Sequence, residues 1–151
     1  MKKLTIIGGG PAGYAAALYA YNFDLEITLI ESDVLGGTCL NRGCIPAKYW
    51  LHVAELNHEI SNSSNYGINI ENKTIDWKKT SLKRIEVIDK LVSGIKTLLN
   101  GKKVKVIEGW GSIENKNTVL VNKSDGSTEK VESDYILLAT GSKPRELPDI
   151  K

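Results

Sequence analysis

The start of the chain alternates between short apolar runs and one alanine-rich stretch. Residues 4–7 and 27–30 are brief apolar runs, which are typical of buried parallel strands. Between them, residues 12–20 are rich in alanine and predict a helix. The three segments together predict a βαβ unit.

The middle of the chain has the periodicity of two helices joined by a polar loop. Residues 48–60 predict the first helix, and residues 61–73 predict the loop. Asp76 is a suitable N-cap for the second helix, which we expect to end at the Asn-Gly pair of residues 100–101. The second helix has an apolar stripe at three- and four-residue steps: Leu82, Ile85, Ile88, Val92, Ile95 and Leu99. These patterns predict a helical pair.

After the second helix, the hydrophobic period changes to that of strands. Residues 104–107, 118–121 and 128–131 predict a small antiparallel β-meander, with a tight turn at residues 125–126. Residues 135–139 are apolar throughout, which predicts a return to a buried parallel sheet. The chain therefore predicts an α/β fold, in which a Rossmann-like parallel sheet carries the helical pair and the meander.

Length and composition place this fold in a single domain. The chain has 151 residues, and we assign residues 1–142 to one domain. Residues 143–151 are polar with two spaced prolines, which predicts a linker. The 20 basic and 18 acidic residues give a net charge of +2, which predicts neither a nucleic-acid nor a membrane partner. Glycines interrupt the apolar run that follows Met1, so we expect a cytoplasmic protein without a secretory leader.

A glycine motif stands between the first predicted strand and helix. It has the form G-x-G-x-x-G, and in this context it predicts a dinucleotide site, in which the backbone approaches a diphosphate. The residues that we assign to the dinucleotide are Gly8, Gly10, Pro11, Ala12 and Gly13. Glu31 ends the second strand, where a carboxylate accepts hydrogen bonds from a ribose and repels the 2′-phosphate of an NADP-type ligand.

The chain has only two cysteines, Cys39 and Cys44, directly after this unit. In a reducing compartment such a pair indicates catalysis or metal binding more often than a structural staple. We interpret it as a redox-active disulfide, which favours FAD as the dinucleotide because a flavin exchanges electron pairs with a dithiol. Zinc binding and inert burial remain alternatives, although zinc needs four ligands and only His52 and His58 lie nearby. We assign no metal.

The spacing of the cysteines constrains the local backbone. On a regular helix, Cα atoms five residues apart are separated by roughly 8.6 Å, whereas a disulfide tolerates about 7 Å. Gly43 and Pro46 can distort the helix. We therefore predict an irregular turn over residues 39–44 and a regular helix from about Ala47. Arg42 and Lys48 are the local cations that lower a thiol pKa, and Lys48 is alternatively a simple surface lysine.

Residues 36–48, Gly-Gly-Thr-Cys-Leu-Asn-Arg-Gly-Cys-Ile-Pro-Ala-Lys, closely resemble the class I pyridine nucleotide–disulfide oxidoreductases. This family includes dihydrolipoamide dehydrogenase, glutathione reductase and mercuric reductase. The wording Cys-Leu-Asn-x-Gly-Cys-Ile-Pro is most similar to the N-terminal FAD-binding segment of dihydrolipoamide dehydrogenase.

The resemblance implies a role for each matching residue. It implies that Cys44 lies nearer the flavin, that Cys39 exchanges with the substrate, and that Lys48 lies beside the flavin ring. Further cofactor contacts implied by the resemblance are Gly37, Thr38, Gly111, Ala139, Thr140 and Gly141.

The resemblance also implies an incomplete FAD domain, because family enzymes are roughly three times as long as this chain. We expect the chain to precede an NAD-binding domain and an interface domain, and to be inactive and weak in FAD binding by itself. The implied parent enzyme is a homodimer that oxidises dihydrolipoyl groups, small or protein-borne, with NAD. The alternatives are a glutathione or mercuric reductase-like enzyme and a self-contained, non-catalytic redox module.

Overall fold

The computed structural model describes residues 1–145 and residue 148. The predicted βαβ unit is confirmed: strand β1 spans Lys2–Ile7, helix α1 spans Pro11–Ala20, and strand β2 spans Leu25–Glu31. The two strands pair in parallel along their whole length. Residues 146, 147 and 149–151 of the predicted linker lie outside the described residues.

Among the described residues, three α-helices follow β2: α2 spans Gly37–Arg42, α3 spans Cys44–Asn62, and α4 spans Trp77–Gly101. A short 3₁₀ helix over Ser63–Tyr66 follows α3. The predicted pair of long helices is therefore confirmed as α3 and α4. The Asp76 side chain caps α4 by accepting a 2.9 Å hydrogen bond from the Lys79 N–H, as the sequence predicted. The predicted stripe on α4 is buried only at Ile88, Val92, Ile95 and Leu99.

Five strands complete the described part of the chain: β3 spans Lys105–Glu108, β4 Trp110–Asn115, β5 Thr118–Asn122, β6 Thr128–Glu132 and β7 Tyr135–Leu138. The parallel sheet has the order β3-β2-β1-β7, and the antiparallel meander has the order β4-β5-β6. The expected α/β fold and the return of the chain to the parallel sheet at β7 are thus confirmed. The expected burial of this strand was wrong, because β7 lies at the edge of the sheet and only Ile136 is half-buried.

The placement of residues 104–107 in the meander was wrong. This segment forms β3, which pairs in parallel with β2 so that Ile107 lies opposite Ile30. Because β3 is an edge strand, it combines exposed Lys105 and Glu108 with buried Ile107, and this mixed pattern resembles that of a meander strand. The first strand of the meander is β4, which the sequence pattern did not predict.

The parallel sheet is covered on both faces. On one face, α1 and α4 pack with α2 around a core that includes Ile6, Ala17, Leu29, Leu40 and Leu99. On the other face, the meander buries a second cluster formed by Ile7, Ile30, Ile107, Val119 and Val121. The carboxyl ends of β1 and β2, with the loops that follow them, therefore lie where helices and meander meet the sheet.

The Glu129 side chain links the meander to the edge of the parallel sheet through an ion pair. The Glu129 carboxylate on β6 lies 2.9 Å from the Lys105 ammonium on β3 and 2.7 Å from the Lys123 ammonium. Hydrogen bonds from Lys123 and Lys105 lower the pKa of Glu129 to about 2. The same contact raises the pKa of Lys123.

Candidate functional site

The glycine motif forms the loop between β1 and α1. Gly8 has a φ of +105°, which is in the region that favours glycine. A Cβ on Gly8 would lie 2.3 Å from the carbonyl oxygen of Ala139, just beyond β7. The Ala139 N–H donates a 2.8 Å hydrogen bond to the Ile7 carbonyl. The loop and the segment after β7 are therefore in direct contact.

The start of α1 is suited to an anion. Gly10 is the N-cap, Pro11 occupies the first turn, and no side chain in the described part of the chain caps the helix. Its first N–H groups thus lack intrahelical partners and lie at the positive end of the helix dipole. Gly13 is buried, and a Cβ there would lie 1.7 Å from the Gly8 carbonyl oxygen. These residues, with Ala12 in the same turn, fit the diphosphate of a dinucleotide.

Glu31 is held in place by backbone groups on both sides. Its Oε2 accepts a 2.6 Å hydrogen bond from the Gly9 N–H, and its Oε1 accepts a 2.8 Å bond from the Asp33 N–H. Each carboxylate oxygen has a second lone pair available for another donor. The carboxylate is therefore fixed beside the glycine loop with remaining capacity to accept hydrogen bonds.

Helix α2 begins against the glycine loop. The Gly36 N–H donates a 2.9 Å hydrogen bond to the Gly9 carbonyl. Gly37 has a φ of +58°, and a Cβ on it would lie only 2.8 Å from the Cα of Gly10. Thr38, the next residue of α2, is exposed. The helix that carries Cys39 and the predicted dinucleotide loop thus share one surface.

The two cysteines form a disulfide, as predicted. Cys39 lies in the middle of α2 and Cys44 is the first residue of α3, with their Cα atoms 4.7 Å apart. Gly43 separates the two helices with φ −124° and ψ −101°. Cys39 is half-buried and Cys44 is exposed.

The irregular turn predicted over residues 39–44 is confined to Gly43, and α3 begins at Cys44 rather than near Ala47. One non-helical residue changes the chain direction enough to bring the cysteines together. Pro46 lies buried in the first turn of α3, where a missing N–H leaves no helical hydrogen bond unmade.

Side chains at the end of α2 hold this helix to the preceding loop. The Asn41 amide donates hydrogen bonds of 3.1 Å to the Leu35 carbonyl and 2.9 Å to the Gly37 carbonyl. The Arg42 guanidinium forms an ion pair with the Asp33 carboxylate, and both side chains are exposed. Arg42, predicted as a cation for the thiols, is thus paired with a carboxylate. The roles of Asp33 and Asn41 were not predicted from the sequence.

The other predicted cofactor residues lie after β7, on α3 and on β4. Ala139 contacts the glycine loop, whereas Thr140 and Gly141 follow it as exposed residues. Lys48 is exposed on α3, four residues beyond Cys44. Gly111 lies on β4, where a Cβ would be 3.1 Å from Ile7 and 3.2 Å from Ile30. Gly111 therefore allows the meander to approach the sheet closely.

The described residues show neither a cluster of metal ligands nor a membrane-spanning helix. His52 and His58 are both exposed on α3. Across residues 1–145 and 148, no three His, Cys, Asp or Glu side chains lie together as metal ligands would. The described helices include none with the length and apolar character needed to cross a bilayer.

The sequence profile of the pyridine nucleotide-disulphide oxidoreductases matches residues 2–151. The chain belongs to this family. Among curated relatives, the dihydrolipoyl dehydrogenase of Zymomonas mobilis is 41% identical over 147 residues, covering 97% of this chain and 32% of that protein. The dihydrolipoyl dehydrogenase of Mycoplasma genitalium is 43% identical over 145 residues, covering 95% of this chain and 31% of that protein.

A solved structure agrees with this family assignment. The crystal structure of LpdA from Mycobacterium tuberculosis is similar with a TM-score of 0.90 and 29% identity, over 98% of this chain and 33% of that one. The chain spans about a third of the length of the curated relatives that it matches, 32% for the Zymomonas protein.

Proposed function

We propose that the chain is the FAD-binding, disulfide-carrying part of a dihydrolipoyl dehydrogenase-like enzyme. The observation that carries the proposal is the contact between Gly10 and Gly37, which joins the dinucleotide loop to the helix of Cys39. A redox-active disulfide needs an electron acceptor close by, and this contact brings the two parts of the site together. The names of the relatives support the same activity.

The residues that would hold FAD follow from the loop geometry. The first turn of α1, starting at Pro11, would donate N–H groups to the diphosphate, and Glu31 would accept hydrogen bonds from the ribose. The other residues proposed to contact FAD are Gly37, Thr38, Cys39, Cys44, Lys48, Gly111, Ala139, Thr140 and Gly141. When bound, FAD supplies an acceptor for an electron pair between the dithiol and NAD.

The cysteines would exchange with the substrate through thiol–disulfide chemistry. A dihydrolipoyl thiolate attacks Sγ of Cys39, the Sγ–Sγ bond breaks, and Cys44 leaves as a thiolate. The second substrate thiol then attacks the substrate sulfur in the mixed disulfide, closes the lipoyl ring and releases Cys39 as a thiol. The substrate loses two electrons and two protons, of which Cys39 keeps one proton and solvent takes the other.

The overall reaction proposed for the enzyme is dihydrolipoyl + NAD⁺ ⇌ lipoyl + NADH + H⁺. Its substrate would be a lipoyl group, either free or attached to a partner protein. We propose a homodimeric cytoplasmic enzyme, in which residues beyond this chain supply the NAD site and the general base. By itself the chain would not complete the reaction.

Activity is tested on the complete protein product of the reading frame that contains this chain. With dihydrolipoamide and NAD⁺, we expect NADH formation that Cys39→Ser or Cys44→Ser abolishes. Thr97→Ser, a conservative change at an exposed position of α4, serves as the control and should leave the rate unchanged. Reduction of glutathione disulfide with NADPH, without oxidation of dihydrolipoamide, would contradict the proposed substrate.

FAD binding is tested by titrating the protein with FAD and following flavin fluorescence. Gly10→Glu places a carboxylate at the start of α1 and should weaken binding by at least about tenfold, because like charges brought together cost several kcal/mol. Gly94→Glu is the matched control, since Gly94 lies on α4 and a Cβ there meets nothing within 4 Å. Equal affinities of the two variants would contradict the assignment of the loop.

A further inference from the structure

We infer that Asp33 is a positioning residue that withholds Arg42 from Cys39, so that the reduced cysteine pair carries its thiolate on Cys44. The inference rests on the proposed redox cycling of the disulfide. Arg42 occupies the x position of the Cys-Leu-Asn-x-Gly-Cys motif.

The helices give each cysteine one neighbouring cation. Cys39 and Arg42 are three residues apart on α2, and Cys44 and Lys48 are four residues apart on α3. Residues at these spacings are neighbours on a helix surface. A nearby cation stabilises a thiolate, so an available Arg42 would favour a thiolate on Cys39 in competition with Cys44, which is exposed at the start of α3.

Asp33 opposes the effect of Arg42 on Cys39. Its carboxylate forms an ion pair with the Arg42 guanidinium, while its backbone N–H is bound to Glu31. Asp33 is therefore held in the loop after β2, and its carboxylate draws Arg42 toward that loop. The cation beside Cys39 is thus neutralised.

The charges around the disulfide come from the loop after β2, from α3 and from α4, where the Arg84 guanidinium lies over the Trp50 ring. Toward α2, the core formed with α1 and α4 contains apolar residues, including Leu40, Ile88 and Val92, with Tyr14 packed at its edge. The loop after β2 contributes the carboxylates of Glu31 and Asp33, and α3 contributes Lys48. Lys48 is therefore the cation that favours a thiolate on Cys44.

Reduction creates the choice between the two sulfurs. Two electrons and two protons convert the disulfide to two thiols, while dithiothreitol, the reductant, is oxidised to its cyclic disulfide. Loss of one proton then leaves a single thiolate. The side chains of Asp33 and Arg42 are 52% and 63% exposed, so changing either one should leave the fold intact.

The test measures which cysteine reacts in the reduced chain. The chain is reduced with dithiothreitol, freed of reductant, treated with limiting iodoacetamide, and digested for mass spectrometry. Asp33→Asn should shift the alkylation ratio toward Cys39 by about threefold, the size typical of exposed ion pairs. In the Arg42→Gln background, Asp33→Asn should shift nothing, because the freed cation is gone. High salt should shrink the shift.

Two results would overturn the inference. One is an unchanged ratio in Asp33→Asn, and the other is an equal shift in the presence and absence of Arg42. Asp33→Glu, which keeps the carboxylate, should restore the original ratio, and failure to do so would also count against it. The experiment contains neither flavin nor lipoyl substrate, so its outcome is separate from that of the activity assay.

Discussion

A Cβ on Gly37 would lie 2.8 Å from the Cα of Gly10, so the glycine loop and the disulfide helix meet backbone to backbone. Real Cβ atoms essentially never approach a backbone atom so closely, and neither partner is a flexible side chain. This contact makes the position of α2 depend on the position of the loop.

Gly37→Ala should therefore lower the free energy of unfolding by about 2 to 3 kcal/mol, because both the close contact and the φ of +58° oppose a side chain. Urea unfolding measures this loss. Gly67→Ala separates the two causes, since Gly67 has a φ of +77° with nothing within 4 Å of its Cβ. It should lose only about 1 kcal/mol, and an equal loss in both variants would show that the contact is unimportant.

Gly111→Ala tests the approach of the meander to the sheet. The new methyl group would lie 3.1 Å from Ile7 and 3.2 Å from Ile30, so these side chains must shift slightly. We expect a loss of about 1 kcal/mol in the free energy of unfolding. Gly101→Ala, at the end of α4 with open space around its Cβ, should cause no loss. A stable Gly111→Ala variant would contradict the packing role.

The disulfide should stabilise the chain under oxidising conditions. In the chain-entropy description, a bridge that closes so short a loop contributes about 2 kcal/mol. The double variant Cys39→Ser, Cys44→Ser should lose this amount in urea unfolding. With dithiothreitol present, the unchanged chain should match the double variant. A stability that does not respond to the reductant would contradict this expectation.

The lowered pKa of Glu129, about 2, predicts a specific pH dependence. A carboxyl whose folded pKa is depressed stabilises the fold above its unfolded pKa, and this contribution disappears as the pH falls through the folded value. Loss of the ion pairs with Lys105 and Lys123 should thus weaken the fold as the pH falls from 4.5, the ordinary pKa, to about 2.

Glu129→Gln should flatten the fall in thermal unfolding midpoint over this pH range. Glu132→Gln is the matched control on the same strand, since Glu132 is exposed and has no ion pair within the described ranges. If the two variants follow the same pH curve, Glu129 is not the group responsible.

The hydrophobic pattern predicted most of the helices and strands, but it did not predict every pairing between strands. The βαβ unit, α4 and β7 follow from local periodicity, which is strong in long or fully apolar segments. Strand β3 was assigned to the wrong sheet because alternation reports which faces are exposed, not which strand lies beside it. Strand β4 was missed because its exposed residues, including Trp110, follow no alternating pattern.

The candidate site could be proposed from the sequence where its residues stand in short motifs. Gly8 to Gly13, Glu31 and the cysteines were assigned to it because their spacing reflects local geometry. Two contacts join residues that only the folded chain brings together. They are the hydrogen bond from Gly9 to Glu31 and the ion pair of Asp33 with Arg42. The restriction of the helix break to Gly43 could not be predicted from the sequence either, because helix boundaries depend on tertiary packing.

Helix α3 is 19 residues long, yet Pro46 is its only buried residue among those described. Local stability follows buried apolar contacts, so the amide protons of α3 should exchange with deuterium faster than those of β1 and β2. Opening the bridge at Cys44 releases the covalent attachment of its first residue. Reduction of the disulfide would therefore increase amide exchange in α3 and leave exchange in β1 and β2 unchanged.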